Sequence, residues 1–84
     1  MIYVVDLPPQ GEPRAWFAFD AADLERKRVT MGAATGESCI YWNEAEAVGA
    51  FEGNDPRIAA KEHWRARRAL YEQLVALEVL ADDC

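Results

Sequence analysis

The sequence predicts a single α+β domain: a small three-stranded antiparallel or mixed sheet with two short helices and one long C-terminal helix. Three observations lead there. Short runs of β-branched and aromatic residues alternate with turn signals in the first half of the chain. Two helix-start signatures, at Asp20 and at Asn43-Glu44-Ala45-Glu46, each precede a short stretch of helical character. From Asp55-Pro56 onward no Gly or further Pro interrupts the chain. Asp as N-cap and Pro at the first helical position start a helix expected to run from Pro56 to about Ala81.

Each element follows from local chemistry. Met1–Leu7 is a strand, ended by Pro8-Pro9, and Arg14–Phe19 is a second. The Pro8–Pro13 loop, with Gly11, makes them a hairpin with a long connection. Asp20 caps a helix over Ala21–Met31, with Asp23 and Glu25 in its first turn and Arg26, Lys27 and Arg28 near its end, where cations complement the dipole. Gly32 suits the position just past that helix. Gly32–Glu37 is a loop and Ser38–Trp42 a third strand. Asn43 and Glu46 form a capping box for a helix over Glu44–Phe51, which Gly53-Asn54 ends.

Both faces of all three strands are apolar. Within each strand, Ile2 and Val4 oppose Met1, Tyr3, Val5 and Leu7; Trp16 and Ala18 oppose Phe17 and Phe19; Ile40 and Trp42 oppose Cys39 and Tyr41. Both sides of the sheet therefore need cover. The long helix is expected on one side and the two short helices on the other.

The expected C-terminal helix would be roughly 39 Å long at ~1.5 Å per residue. A compact domain of this size is only ~30 Å across, so the helix should overhang its domain or pack on something else. At about 100° per residue, Ala59, His63, Ala66, Leu74, Leu77 and Ala81 fall within about 40° of Leu70 and form a core stripe. A second ridge of Arg57, Trp64, Arg68, Tyr71 and Val75 lies roughly 100–160° round, with Val79 at its far edge. One domain needs one stripe. The ridge combines Trp, Tyr and Arg, the types that dominate protein contacts. It reads as a partner surface or as packing beneath the short helices or the Pro8–Pro13 loop.

Composition sets the frame. The 84 residues make one domain, 1–84, and 51% hydrophobic content with nine aromatics provides a real core and argues against disorder. The amino terminus has no basic leader signature, and no apolar run approaches the ~20 residues of a membrane span. Two cysteines, Cys39 and Cys84, are too few for a disulfide framework and read as reduced thiols. A cytoplasmic protein is expected. The net charge is −6, and between Val29 and Asp55 there are five acids and no basic residue. A surface carrying Glu44, Glu46 and Glu52 suits a partner with a basic surface and opposes direct nucleic-acid binding; acidity for solubility is the plainer reading.

No residue set names a reaction. His63, the one histidine, sits on the core stripe and reads as a buried structural residue. A Cys39–His63 nucleophilic pair is formally available but lacks an orienting acid and an oxyanion hole. Gly32–Ser38 has Glu37 where a phosphate loop needs Lys, and a strand follows where a helix should. Cys39, His63 and Cys84 lack metal-ligand spacing, and the Asp82-Asp83-Cys84 tail offers a divalent ion only a loose site. Lys61–Arg68 holds four basic side chains and a stacking Trp, the parts of a nucleic-acid helix, within an acidic chain that has no recognised binding motif around it. No cofactor, metal or catalytic residue is expected.

In size, acidity, lack of catalytic residues and compact α+β plan, the chain resembles the small acidic inhibitors carried by phages and other mobile elements, such as anti-CRISPR proteins and host-takeover factors. They share no motif, so no residue role carries over. The Ala/Arg/Glu-rich usage suggests a GC-rich bacterial host. The resemblance implies stoichiometric binding to a host machine: a CRISPR complex, a pilus or secretion ATPase, or a regulator. The expectation is a non-enzymatic protein-binding domain, inhibitory, with Trp64, Arg68, Tyr71, Val75, Glu44, Glu46 and Glu52 as contact residues. The alternative is a homodimeric structural or regulatory module joined through the C-terminal helix.

Overall fold

The apolar run at the start of the chain becomes β1 (Ile2–Leu7), the central strand of an antiparallel sheet of order β2-β1-β3. Residues 1–30 and 36–81 are described in the computed structural model. The expected helix stop at Gly32, the loop that begins there and the Asp82-Asp83-Cys84 tail lie outside the described residues. β2 (Arg14–Ala18) pairs with β1 so that Tyr3 faces Phe17 and Val4 faces Trp16. β3 (Glu37–Tyr41) pairs on the other side, with Tyr3 against Tyr41 and Val5 against Cys39. At the far end, Gly36 runs so close to β1 that an added Cβ would sit 2.8 Å from the Leu7 carbonyl oxygen. The position requires glycine.

Strand alternation divides the core in two, and the pairing register sets which strand faces share a side. Ile2, Val4, Trp16 and Ala18 pack with Leu24 of α1 (Ala21–Thr30). Tyr3, Val5, Cys39 and Tyr41 pack with Ala47, Ala50, Ile58, Ala66, Leu70 and Leu74. The second group comes from every later helix. One expectation is thereby corrected: the two short helices do not share a face. α2 (Glu44–Gly49) buries Ala47 on the same side as the C-terminal helix, and α1 covers the opposite face alone.

The helix starts follow the capping chemistry. Asp20 Oδ1 accepts the Asp23 N–H at 2.8 Å, and Asp23 reaches back to accept the Phe19 N–H at 3.0 Å. Asn43 Oδ1 accepts the Glu46 N–H at 2.9 Å, while Glu46 Oε2 accepts the Trp42 N–H at 2.6 Å. This reciprocal arrangement satisfies donors that a helix start leaves open. After α2 the chain widens into a π-type turn over Ala50–Asn54, closed by Gly53 at φ 108°, a left-handed conformation that glycine adopts without penalty.

The C-terminal helix is present but shorter than expected. Asp55 and Pro56 do start a helix, yet α3 (Pro56–Ala59) ends after four residues because Ala60 is extended, with ψ 146°. A 3₁₀ turn over Lys61–His63 leads into α4 (Trp64–Ala76). The break lets Ile58 enter the core, fully buried, while α4 takes its own direction along the sheet. Among the described residues no helix therefore overhangs. α4 is about 20 Å long by helix rise, within a body of 35 × 27 × 20 Å. The core stripe survives as Ala66, Leu70 and Leu74, all buried, with Leu77 partly buried; Ala81 is exposed.

α4 stops in a left-handed cap. Glu78, at φ 61°, donates its N–H to Val75 at 3.0 Å, and Val79 donates to Leu74 at 2.8 Å. These two bonds define a Schellman motif, which here uses Glu where Gly is the usual choice. The motif turns Val79 and Leu80 back against the core.

Candidate functional site

α4 carries the ridge that its periodicity predicts. Trp64 is 58% exposed and the Arg68 side chain 66% exposed; Tyr71 and Val75 are half-buried. The neighbouring π-type turn supplies what periodicity could not. Phe51 stacks on Tyr71 with ring centroids 5.1 Å apart and planes 28° from parallel. Arg67 Nε donates to the Phe51 carbonyl at 2.6 Å, and its guanidinium lies 5.4 Å from the Phe51 ring centre. Phe51, Trp64, Arg67, Arg68 and Tyr71 together line an open groove of about 250 Å³. Arg65 stacks its guanidinium 5.2 Å from the Trp64 ring and donates to Glu12 at 3.3 Å. Arg68 donates to Glu72 at 3.1 Å.

The groove is thus an aromatic trough rimmed by Arg67 and Arg68, with Arg65 stacked on the Trp64 ring beside it. Cation–π contacts of this kind are worth about 0.5–1 kcal/mol at exposed sites and hold the guanidinium planes against the rings. Helical periodicity does not find Phe51, Arg65 or Arg67. Arg65 and Arg67 lie off the ridge centre, and Phe51 reaches it only because the turn after α2 packs against α4.

The acidic residues Glu44, Glu46 and Glu52 are all exposed. Glu46 is committed to its cap. Glu52 follows Phe51 directly, so the acidic edge borders the aromatic groove at that point. The buried Tyr3 hydroxyl has no partner at good hydrogen-bond geometry, and the Glu44 carboxylate is its near neighbour. Burial, and then the Glu44 carboxylate, raise its pKa.

A second cluster is built for structure. Asp55 caps α3 by accepting the Arg57 N–H, accepts the buried Tyr41 hydroxyl at 2.7 Å, and accepts the Arg57 guanidinium at 3.0 and 2.8 Å. The Arg57 hydrogen bonds, opposed by burial, hold the Asp55 carboxyl at about 2. Burial, then the Asp55 bond, pushes the Tyr41 hydroxyl far above its ordinary range. Cys39 has no exposed surface, and burial raises its thiol pKa, the reverse of an activated nucleophile.

His63 departs from its expected place. It is half-buried at the end of the 3₁₀ turn, on the wall of a cleft of about 350 Å³ with Pro8, Pro13, Glu37 and Arg57, and not in the core stripe. The break at Ala60 rotates it away from the line through Leu70. On the opposite face of the sheet, Asp6 accepts Trp16 Nε1 at 2.8 Å, Ser38 Oγ at 2.7 Å and Arg14 Nε at 3.2 Å. One carboxylate thereby ties the three strands together. Among the described residues, no group of three or more His, Cys, Asp or Glu side chains is placed to hold a metal ion, and no helix is long and apolar enough to cross a membrane.

No protein family, curated protein or solved structure matches this chain. The ridge is therefore read on its own chemistry. A wide, shallow trough with apolar walls and charged rims presents contact area.

Proposed function

We propose that this chain is a non-catalytic protein-binding domain that acts by occupying a surface, with the Trp64–Arg68–Tyr71–Val75 ridge and its Phe51 floor as the contact face. The observation that supports this reading most is Trp64, which is 58% exposed beside an apolar groove instead of filling the core. An exposed tryptophan flanked by arginines has the composition of an interface centre. The surface that fits it is apolar with carboxylates at its edges. A blocking role toward a host protein machine is the form of this function that the chain's size and acidity suggest. The exposed Glu44–Glu46–Glu52 edge would then favour the basic surface of such a partner and speed encounter.

The test is photo-crosslinking from the ridge. With p-benzoylphenylalanine in place of Trp64, a discrete protein adduct is expected, and it should vanish in an Arg68→Glu background that keeps its thermal melt. No adduct, or an adduct to nucleic acid, overturns the proposal.

A further inference from the structure

The two halves of the ridge differ in a way that suits one occupant. Along α4 the ridge positions, exposed Trp64 and Arg68 and half-buried Tyr71 and Val75, follow a 4-3-4 spacing, the seam spacing of a coiled coil. The N-terminal half of the helix carries Arg65, Arg67 and Arg68; the C-terminal half carries Tyr71, Glu72 and Val75. Each half thus lacks what the other has.

We propose that the occupant of the groove is a second copy of this chain, joined by antiparallel pairing of α4 with α4 about a two-fold axis near the Arg68–Tyr71 step. This rests on the reading of the ridge as a protein-contact surface, and a self-pair of micromolar strength leaves that ridge open to a tighter foreign partner at low protein concentration. A two-fold axis makes every contact reciprocal. In this register Trp64 of each copy packs on Val75 of the other, and each Arg68 guanidinium lies over the other copy's Tyr71 ring. On the solvent side of the seam each Arg65 meets the other copy's Glu72. The paired helices also run with opposed dipoles.

The internal partners of these charges do not oppose the exchange. Arg65 pairs with Glu12 at 58% and 73% side-chain exposure, and Arg68 with Glu72 at 66% and 62%. Exposed pairs of this kind contribute little to the monomer, so trading them across an interface costs little. A seam on one short helix, floored by Phe51, is smaller than a standard interface of about 800 Å² per partner. The dimer should therefore be of micromolar, not nanomolar, strength.

The register has a sharp test in sedimentation equilibrium of the purified protein up to roughly 1 mM. The wild type should dimerise. Arg65→Glu and Glu72→Arg should each weaken the dimer about 10-fold or more, because each places like charges opposite one another twice. Mixed together, the two variants should recover wild-type affinity as a heterodimer. The first then carries carboxylates at both positions and the second carries guanidinium groups at both, so each contact across the seam again joins opposite charges. Trp64→Ala should weaken the dimer about 30-fold. Circular dichroism confirms that each variant stays folded. A wild type that stays monomeric across this range, or a dimer indifferent to the charge reversals, overturns the self-pair. If a monomeric chain still forms the Trp64 adduct with a foreign protein, the contact reading stands and only the second copy is excluded. If it forms none, both fail.

Discussion

Replacing Asp55 separates three jobs that one carboxylate does at once. In Asp55→Ala the α3 cap is lost, at about 1 kcal/mol. The Tyr41 hydroxyl, on a residue only 5% exposed, is left without its acceptor, at about 1–3 kcal/mol. The half-exposed Arg57 loses its fork, which adds up to about 1 kcal/mol. The sum, roughly 2–5 kcal/mol, is a large part of the about 4–13 kcal/mol expected for a domain of this length. At about 4–8 °C per kcal/mol, the melting temperature should fall by about 8 °C or more. The cap uses Asp55 Oδ1 and Tyr41 uses Oδ2. Asp55→Asn therefore keeps one oxygen for the cap and sets its amide NH2 beside the Tyr41 hydroxyl, whose oxygen can accept. A cost of about 1–2 kcal/mol, smaller than that of Ala, is expected. Tyr41→Phe added to Asp55→Ala removes the orphaned hydroxyl and should restore about 1–2 kcal/mol, a double-mutant coupling that chemical denaturation monitored by circular dichroism can read. The same carboxylate governs acid stability. Its folded pKa of about 2 lies below the unfolded value of 3.8, so its contribution, on the order of 2 kcal/mol, is present above about pH 4 and is lost as the pH falls through about 2. Asp55→Asn should flatten that acid limb. Equal costs for the Ala and Asn variants, or no rescue by Tyr41→Phe, would refute the account of this cluster as one shared acceptor.

Glu78→Gly should stabilise the protein by about 1 kcal/mol, because Glu78 holds a left-handed φ of 61° that a side chain disfavours. A lower melting temperature would mean that the Glu78 side chain contributes more than its backbone costs. Leu70→Ala, at a site with no exposed surface in the larger core, should cost about 2–5 kcal/mol in urea unfolding. Val29→Ala, at 79% exposure, should stay within about 0.5 kcal/mol, and comparable losses at the two sites would contradict the division of core from surface.

The elements legible in the sequence are those set by local chemistry. Two-residue alternation separates Tyr3 and Val5 from Ile2 and Val4, and Cys39 and Tyr41 from Ile40; that Tyr3, Val5, Cys39 and Tyr41 share a face follows only from the register. The caps at Asp20, Asn43 and Asp55 can be read because a short polar side chain satisfies open helix donors only at such positions. The break at Ala60 cannot be read: alanine is the best helix former, and the helix stops there so that Ile58 can be buried and α4 redirected. The left-handed Glu78 is hidden for the same reason, since tertiary packing of Val79 and Leu80 overrides its preference. Of the candidate site, the helical ridge follows from spacing alone. Its floor does not, because Phe51 and Tyr71 meet only after α2 and α4 settle on the same face of the sheet.

The π-type turn over Ala50–Asn54 gives that floor an unusual sensitivity to chain length. An ordinary α-turn would close with one residue fewer and rotate Phe51 by about 100° about the local axis. The ring would leave Tyr71, and the groove would lose its base while the core residues Ala47 and Ile58 kept their places. A one-codon deletion in this turn is therefore a minimal genetic event able to remove the base of the aromatic groove. Insertion and deletion here, more than point substitution, offer natural variation a route to reshape that groove.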